Sequence, residues 1–147
     1  MNATSDIKLA PDQIMALLDR VFPQITGVYE IDALTSELTI LRMKTSERHL
    51  RPGGTVSGPS MFGLADCAMY VAVLAAIGPE ALAVTTNCSI DFMRKPEAVD
   101  MIAHARILKQ GRALIVGDVL LYSDGSDKPV ARASLTYSIP PKSEVTS

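Results

Sequence analysis

Tryptophan is missing from this chain, and histidine and cysteine occur only twice each in 147 residues. His49 and His104 are far apart in sequence, so a zinc site would need several carboxylates to complete it, and no metal is expected. Cys67 and Cys88 sit in apolar segments without CxxC spacing. They read as small core residues of a reducing, cytoplasmic compartment, not as a disulfide framework or metal ligands. An excess of either charge is also lacking: the net charge is −2, which offers no footprint for nucleic acid or an acidic membrane. The first residues, Met1 to Lys8, have no basic stretch leading into an apolar core, so no signal peptide is expected.

Charge is scarcest in the middle of the chain. Between Arg51 and Glu80 the single charged residue is Asp66, inside the apolar run Gly58 to Ile77. A carboxylate among apolar neighbours is costly unless it is hydrogen-bonded or protonated. Asp66 is therefore the leading functional candidate; the alternative is a carboxylate at a water-lined helix end or paired with a basic side chain. The run is close to the roughly 20 residues of a membrane span. Its Gly-Pro start, its aspartate, its small residues and the alternating segments on either side predict a buried central helix.

The length suits one domain with a real core. Ile14, Leu17, Leu18, Val21 and Phe22 recur at helical spacing from Pro11 until Pro23 ends the helix. Val28–Ile31 and Glu37–Met43 read as strands, and 45–57 as a loop. The long helix opens at Gly58-Pro59 and stops at Gly78-Pro79. The period then changes to two. In the next strand Val84, Thr86, Cys88, Ile90 and Phe92 share one face, and Thr85, Asn87, Ser89 and Asp91 the other. Strands 99–108 and 113–122 follow, joined by the turn Lys109 to Arg112. The last strand buries Ala131, Ala133, Leu135, Tyr137 and Ile139. The order is helix, two strands, long helix, then a four-stranded antiparallel meander: an α+β fold whose remaining sheet edge calls for a second copy.

Three segments carry a resemblance: Gly58-Pro-Ser-Met-Phe-Gly-Leu-Ala-Asp66, Ala83-Val-Thr-Thr-Asn-Cys-Ser-Ile-Asp-Phe-Met-Arg-Lys-Pro96 and Lys109-Gln-Gly-Arg112. Together they resemble the hotdog-fold thioesterases, specifically the phenylacetate-degradation (PaaI-like) acyl-CoA thioesterases, over about residues 28–139. The resemblance implies an antiparallel sheet wrapped around a long central helix, homodimers or homotetramers, active sites shared between two chains, and no cofactor beyond the coenzyme A of the substrate. In that family the helix opens with His-Gly-Gly, an asparagine precedes it, and the catalytic acid follows seven residues after the second glycine. Those positions fall here on Ser57, Gly58, Pro59, near Arg51, and on Asp66. The acid and one glycine are kept; the histidine, the second glycine and the asparagine are not.

On this reading Asp66 is a general base, or a nucleophile forming a transient anhydride. The Gly58 N–H is the oxyanion donor, helped by the free amides and dipole of the helix start. Thr85 is a positioner of water or substrate acting on the acid of a neighbouring subunit, or else a solvent-facing strand residue. Ser57 stands in for the histidine or caps the helix. Arg51 holds the thioester carbonyl or pairs with Asp66. Arg94, Lys95 and Arg112 are candidates for the phosphates of coenzyme A, and Met61, Phe62, Met69 and Tyr70 for the acyl pocket. Two other readings compete: a non-catalytic acyl-CoA binding protein, and a hotdog hydratase or dehydratase drawing on His49.

Overall fold

The computed structural model describes residues 7–141. Helix α1 (Pro11–Val21) buries Ile14, Leu17 and Leu18, as its spacing requires. It closes where the Phe22 N–H bonds the Leu18 carbonyl at 2.7 Å. Strands β1 (Tyr29–Leu34) and β2 (Thr39–Met43) form an antiparallel hairpin. β2 starts later than the sequence pattern predicts, because the Thr35 hydroxyl takes the N–H groups of Glu37 and Leu38 into a turn. The following loop contains one 3-10 turn, Glu47–His49.

Helix α2 (Gly58–Ile77) has the predicted limits. Gly78 stops it at φ +99°, a conformation that suits glycine. α2 is long and apolar enough to cross a membrane by length and composition. Here its apolar side chains meet the concave face of the sheet instead: Leu64, Ala65, Ala68, Met69, Val71, Val73 and Leu74 are fully buried. A helix apolar on all sides suits a site that is wrapped rather than half-covered.

The sheet has six antiparallel strands, completed by β3 (Val84–Phe92), β4 (Met101–Gln110), β5 (Leu114–Ser123) and β6 (Ala131–Ser138). Their spatial order is β1-β2-β4-β5-β6-β3. This is the hotdog fold, but the expected four-stranded meander is corrected to three strands, β4, β5 and β6. β3 lies beyond β6 at the far edge. The free side of β2 is taken by β4, with Leu41 opposite Ala103, and twenty residues of α2 carry the chain about 30 Å before β3 begins. The β4–β5 turn is also tighter than expected. Lys109 and Gln110 stay in β4, and the Gly111 N–H closes the turn on the Leu114 carbonyl at 2.8 Å.

α2 packs tightly on β5 at Gly117, where an added Cβ would collide with the Met69 side chain and the Arg106 carbonyl. On the opposite flank Arg42 joins four segments, reaching Asp32 at 3.0 Å, Asp100 at 3.2 Å and Asp124 at 2.9 Å.

Candidate active site

Asp66 projects from the middle of α2 and is half-buried. Its Oδ1 accepts the Thr85 hydroxyl at 2.6 Å and the Tyr137 hydroxyl at 2.8 Å. The Tyr137 oxygen also lies 2.9 Å from the Asp66 backbone carbonyl. Among the described residues Oδ2 receives no hydrogen bond from the protein, and it is not sealed from solvent. The cost of placing a carboxylate in an apolar helix is thus offset by two hydroxyl donors on one oxygen. Asp66 also lines a cleft of about 310 Å³, walled by Val21, Phe22, Tyr70, Leu82 and Val84.

Thr85 reaches Asp66 because β3 does not alternate strictly. Thr85 pairs with Tyr137 but Asn87 pairs with Thr136, so Thr86 is an extra residue, a bulge. The bulge corrects the predicted faces. Thr85 points inward with Cys88 and Ile90, while Val84 is 56% exposed. The Thr85 hydroxyl is thereby bonded to the acid of its own chain.

Burial and the Asp66 carboxylate hold the Tyr137 hydroxyl in its neutral, donating form, far above the usual phenol range. Sequence reasoning placed Tyr137 on a buried strand face without giving it a role. The signal was available: a buried tyrosine needs a partner for its hydroxyl, and Asp66 is the carboxylate of the helix beneath it. The Tyr137 ring stacks on Tyr70 at 6.1 Å and 14°, and the Tyr70 hydroxyl donates to the Ala81 carbonyl at 2.7 Å.

A second cleft, of about 480 Å³, opens at the start of α2 and is lined by Arg51, Gly58, Met61, Phe92, Arg94 and Lys95. Ser57 is the helix cap: its Oγ accepts the Ser60 N–H at 3.2 Å. The Ser57 N–H is bonded to the His49 carbonyl at 2.8 Å, and Pro59 has none. Of the amides at this helix start, the Gly58 N–H is the one without a partner among the described residues. The Phe92 ring lies over Gly58, 3.5 Å from where a Cβ would be.

The remaining candidates divide. Among the described residues no cation lies within ion-pair distance of Asp66. The expected Arg51–Asp66 pair is therefore corrected: Arg51 belongs to the Gly58 cleft, because its loop folds back to the helix start. Arg94 and Lys95 lie in that same cleft. Arg112 does not join them; it lies by Ile77 and Glu80, at the other end of α2. Tyr70 and Met61 line the two clefts, one each, and Phe62 is 39% exposed. Met69 is corrected to a core residue, fully buried against Gly117. His49 is turned into its own loop, its Nδ1 accepting the Ser46 N–H at 3.0 Å. No cluster of histidine, cysteine or carboxylates among the described residues could hold a metal.

Residues 53–130, just over half of the chain, match the family model described as the thioesterase superfamily. A crystal structure of a thioesterase-like protein from Silicibacter sp. TM1040 is 57% identical, with a TM-score of 0.87 over 94% of this chain and 96% of that one. Zebrafish thioesterase superfamily member 2 is 24% identical, with a TM-score of 0.77 over 90% of this chain and 100% of its own. A hypothetical thioesterase protein from Streptococcus pneumoniae TIGR4, solved with coenzyme A, is 21% identical, with a TM-score of 0.68 over 80% and 92%. No curated protein matches the sequence. A 57%-identical relative over almost the whole length, together with the family match across the acid helix and β3 to β5, settles membership: the chain belongs to the hotdog-fold thioesterase superfamily.

Proposed function

We infer that the protein hydrolyses acyl-CoA thioesters, with Asp66 as general base or nucleophile. The observation that carries this reading is the asymmetry of the Asp66 carboxylate: Oδ1 is held by Thr85 and Tyr137, Oδ2 has no donor among the described residues, and the residue lines an apolar cleft. As a base, Oδ2 takes a proton from water while the water oxygen attacks the thioester carbon. The oxyanion collapses, the carbon–sulfur bond breaks, the departing sulfur takes the proton back from Asp66, and coenzyme A leaves as the thiol beside a carboxylic acid. As a nucleophile, Oδ2 attacks the carbon itself, the carbon–sulfur bond breaks and the coenzyme A thiolate leaves, and water then opens the anhydride to the carboxylic acid and the free Asp66 carboxylate, with its remaining proton going to the thiolate.

The Gly58 N–H is the oxyanion donor in this reading, but not for the Asp66 of its own chain. Eight residues along a helix separate the two by about 12 Å and turn them about 80° apart, too far to serve one carbonyl. Two copies meet the requirement. β3 is an edge strand with Val84 at the Asp66 cleft and Phe92 at the Gly58 cleft. Pairing two β3 edges antiparallel about Cys88, the middle residue, brings the Asp66 cleft of one copy to the Gly58 cleft of the other. The exposed apolar residues Val84 and Phe92 would be covered together. Arg51, Arg94 and Lys95 then stand where the phosphates of coenzyme A need cations; the pneumococcal protein solved with coenzyme A supports that ligand class.

The test is free-thiol release from a panel of acyl-CoAs by the native protein and by Asp66→Asn. A loss of roughly a hundredfold or more in the variant supports the reading. If no thioester is cleaved but acyl-CoA binds tightly by calorimetry, the protein is a binding module and Asp66 is structural.

A further inference from the structure

Resting on that reading, we propose that Tyr137 is a positioning residue: with Thr85 it fixes Asp66 Oδ1, so that Oδ2 is the oxygen that meets the water or the acyl carbon. Thr85 and Tyr137 are directly opposite each other on β3 and β6. The bulge at Thr86 turns the Thr85 side chain to the face that Tyr137 already occupies, and the two hydroxyls converge on one oxygen at 2.6 and 2.8 Å. A carboxylate held by a single donor can swing about its χ2 bond. Two donors from adjacent strands of one sheet, the second also 2.9 Å from the Asp66 main-chain carbonyl, hold the side chain in one rotamer. The aromatic stack on Tyr70 in turn holds the Tyr137 ring.

The experiment compares the native protein, Tyr137→Phe and Thr85→Val by kcat and KM for acyl-CoA cleavage and by the three-bond NMR couplings to Asp66 Cγ, which report the rotamer of its side chain. In each variant the couplings are expected to move from those of a single rotamer to averaged values. Their kcat should fall about tenfold while KM stays within about threefold, the split for a group acting through the acid. Replacing Tyr137 by 3-fluorotyrosine keeps the hydroxyl and should retain the native couplings. Couplings of a single rotamer, or a native kcat, in the folded variants overturn the proposal. If the native protein cleaves no thioester, the hydrolase reading falls, and the couplings alone decide the clamp.

Discussion

The Tyr70 ring lies nearly parallel to that of Tyr137, 6.1 Å away, and its hydroxyl ties α2 to the segment after it through the Ala81 carbonyl at 2.7 Å. One side chain thus links the helix, the last strand and the wall of the Asp66 cleft. Tyr70→Phe keeps the stack and removes the tie. Urea denaturation should register a loss of about 1 kcal/mol, and amide exchange should accelerate around Ala81 to Ala83. Unchanged exchange there would mean that the wall is held by other contacts.

Gly117→Ala tests the close packing of α2 on β5. The added Cβ meets the Met69 side chain and the rigid Arg106 carbonyl. Because the backbone cannot give way as a side chain does, the expected cost is about 1–3 kcal/mol. A stability within experimental error of the native protein would contradict that packing.

Cys67 supplies a pH test with a definite sign. Burial, and next the Asp66 charge, push its thiol up to about 12. Above the ordinary thiol value the unfolded chain loses this proton while the folded chain keeps it, so stability falls as pH rises from about 9 to about 12. Tyr29, also pushed up to about 12 and chiefly by burial, adds a loss of the same sign at the upper end of that range. Cys67→Ala should flatten the lower part of the slope in chemical denaturation at each pH. A native curve already flat there would show that the thiol ionises without unfolding.

A site shared between two copies, as proposed, predicts complementation. Asp66→Asn and Gly58→Val should each be inactive alone. Co-expressed, they form mixed dimers in which one site carries both defects and the other carries neither. Thiol release should recover to about a quarter of native activity, half of the dimers being mixed and each having one intact site. If the mixture stays as inactive as its parents, the clefts do not meet across β3.

Arg42 tests the flank opposite the site. Its guanidinium reaches Asp32, Asp100 and Asp124 while remaining partly open to solvent. Screening therefore limits the effect, and Arg42→Met should cost about 1–2 kcal/mol at low salt and less at high salt. A salt-independent loss would assign the effect to packing of the arginine stem.

The central helix was legible to the residue, because Gly58-Pro59 and Gly78 are local signals with local causes. Asp66 was legible as well, since charge is otherwise missing around it. The place of β3 was not. Its alternating text fits a strand anywhere in the sheet, and its neighbour is chosen by β4 pairing with β2, a contact between segments some sixty residues apart. The sidedness of Thr85 was hidden for a related reason: the text Val84-Thr-Thr-Asn-Cys88 carries no glycine or proline to mark a bulge, and only the pairing with β6 reveals it. Arg112 and the pair Arg94, Lys95 looked equivalent as strand-end cations, and the two ends of α2 separate them.

The bulge at Thr86 makes the second donor to Asp66 a matter of phase rather than of residue type. With one residue fewer in this strand, every side chain between Val84 and the bulge would change sides, and a threonine still present in the text would face away from the acid. Related chains that differ by a single insertion or deletion here would keep the fold, the acid and the hydroxyl-bearing residue, yet differ in whether the three meet. Length in this short stretch is therefore a better guide to which of them share the site than the identity of any residue in it.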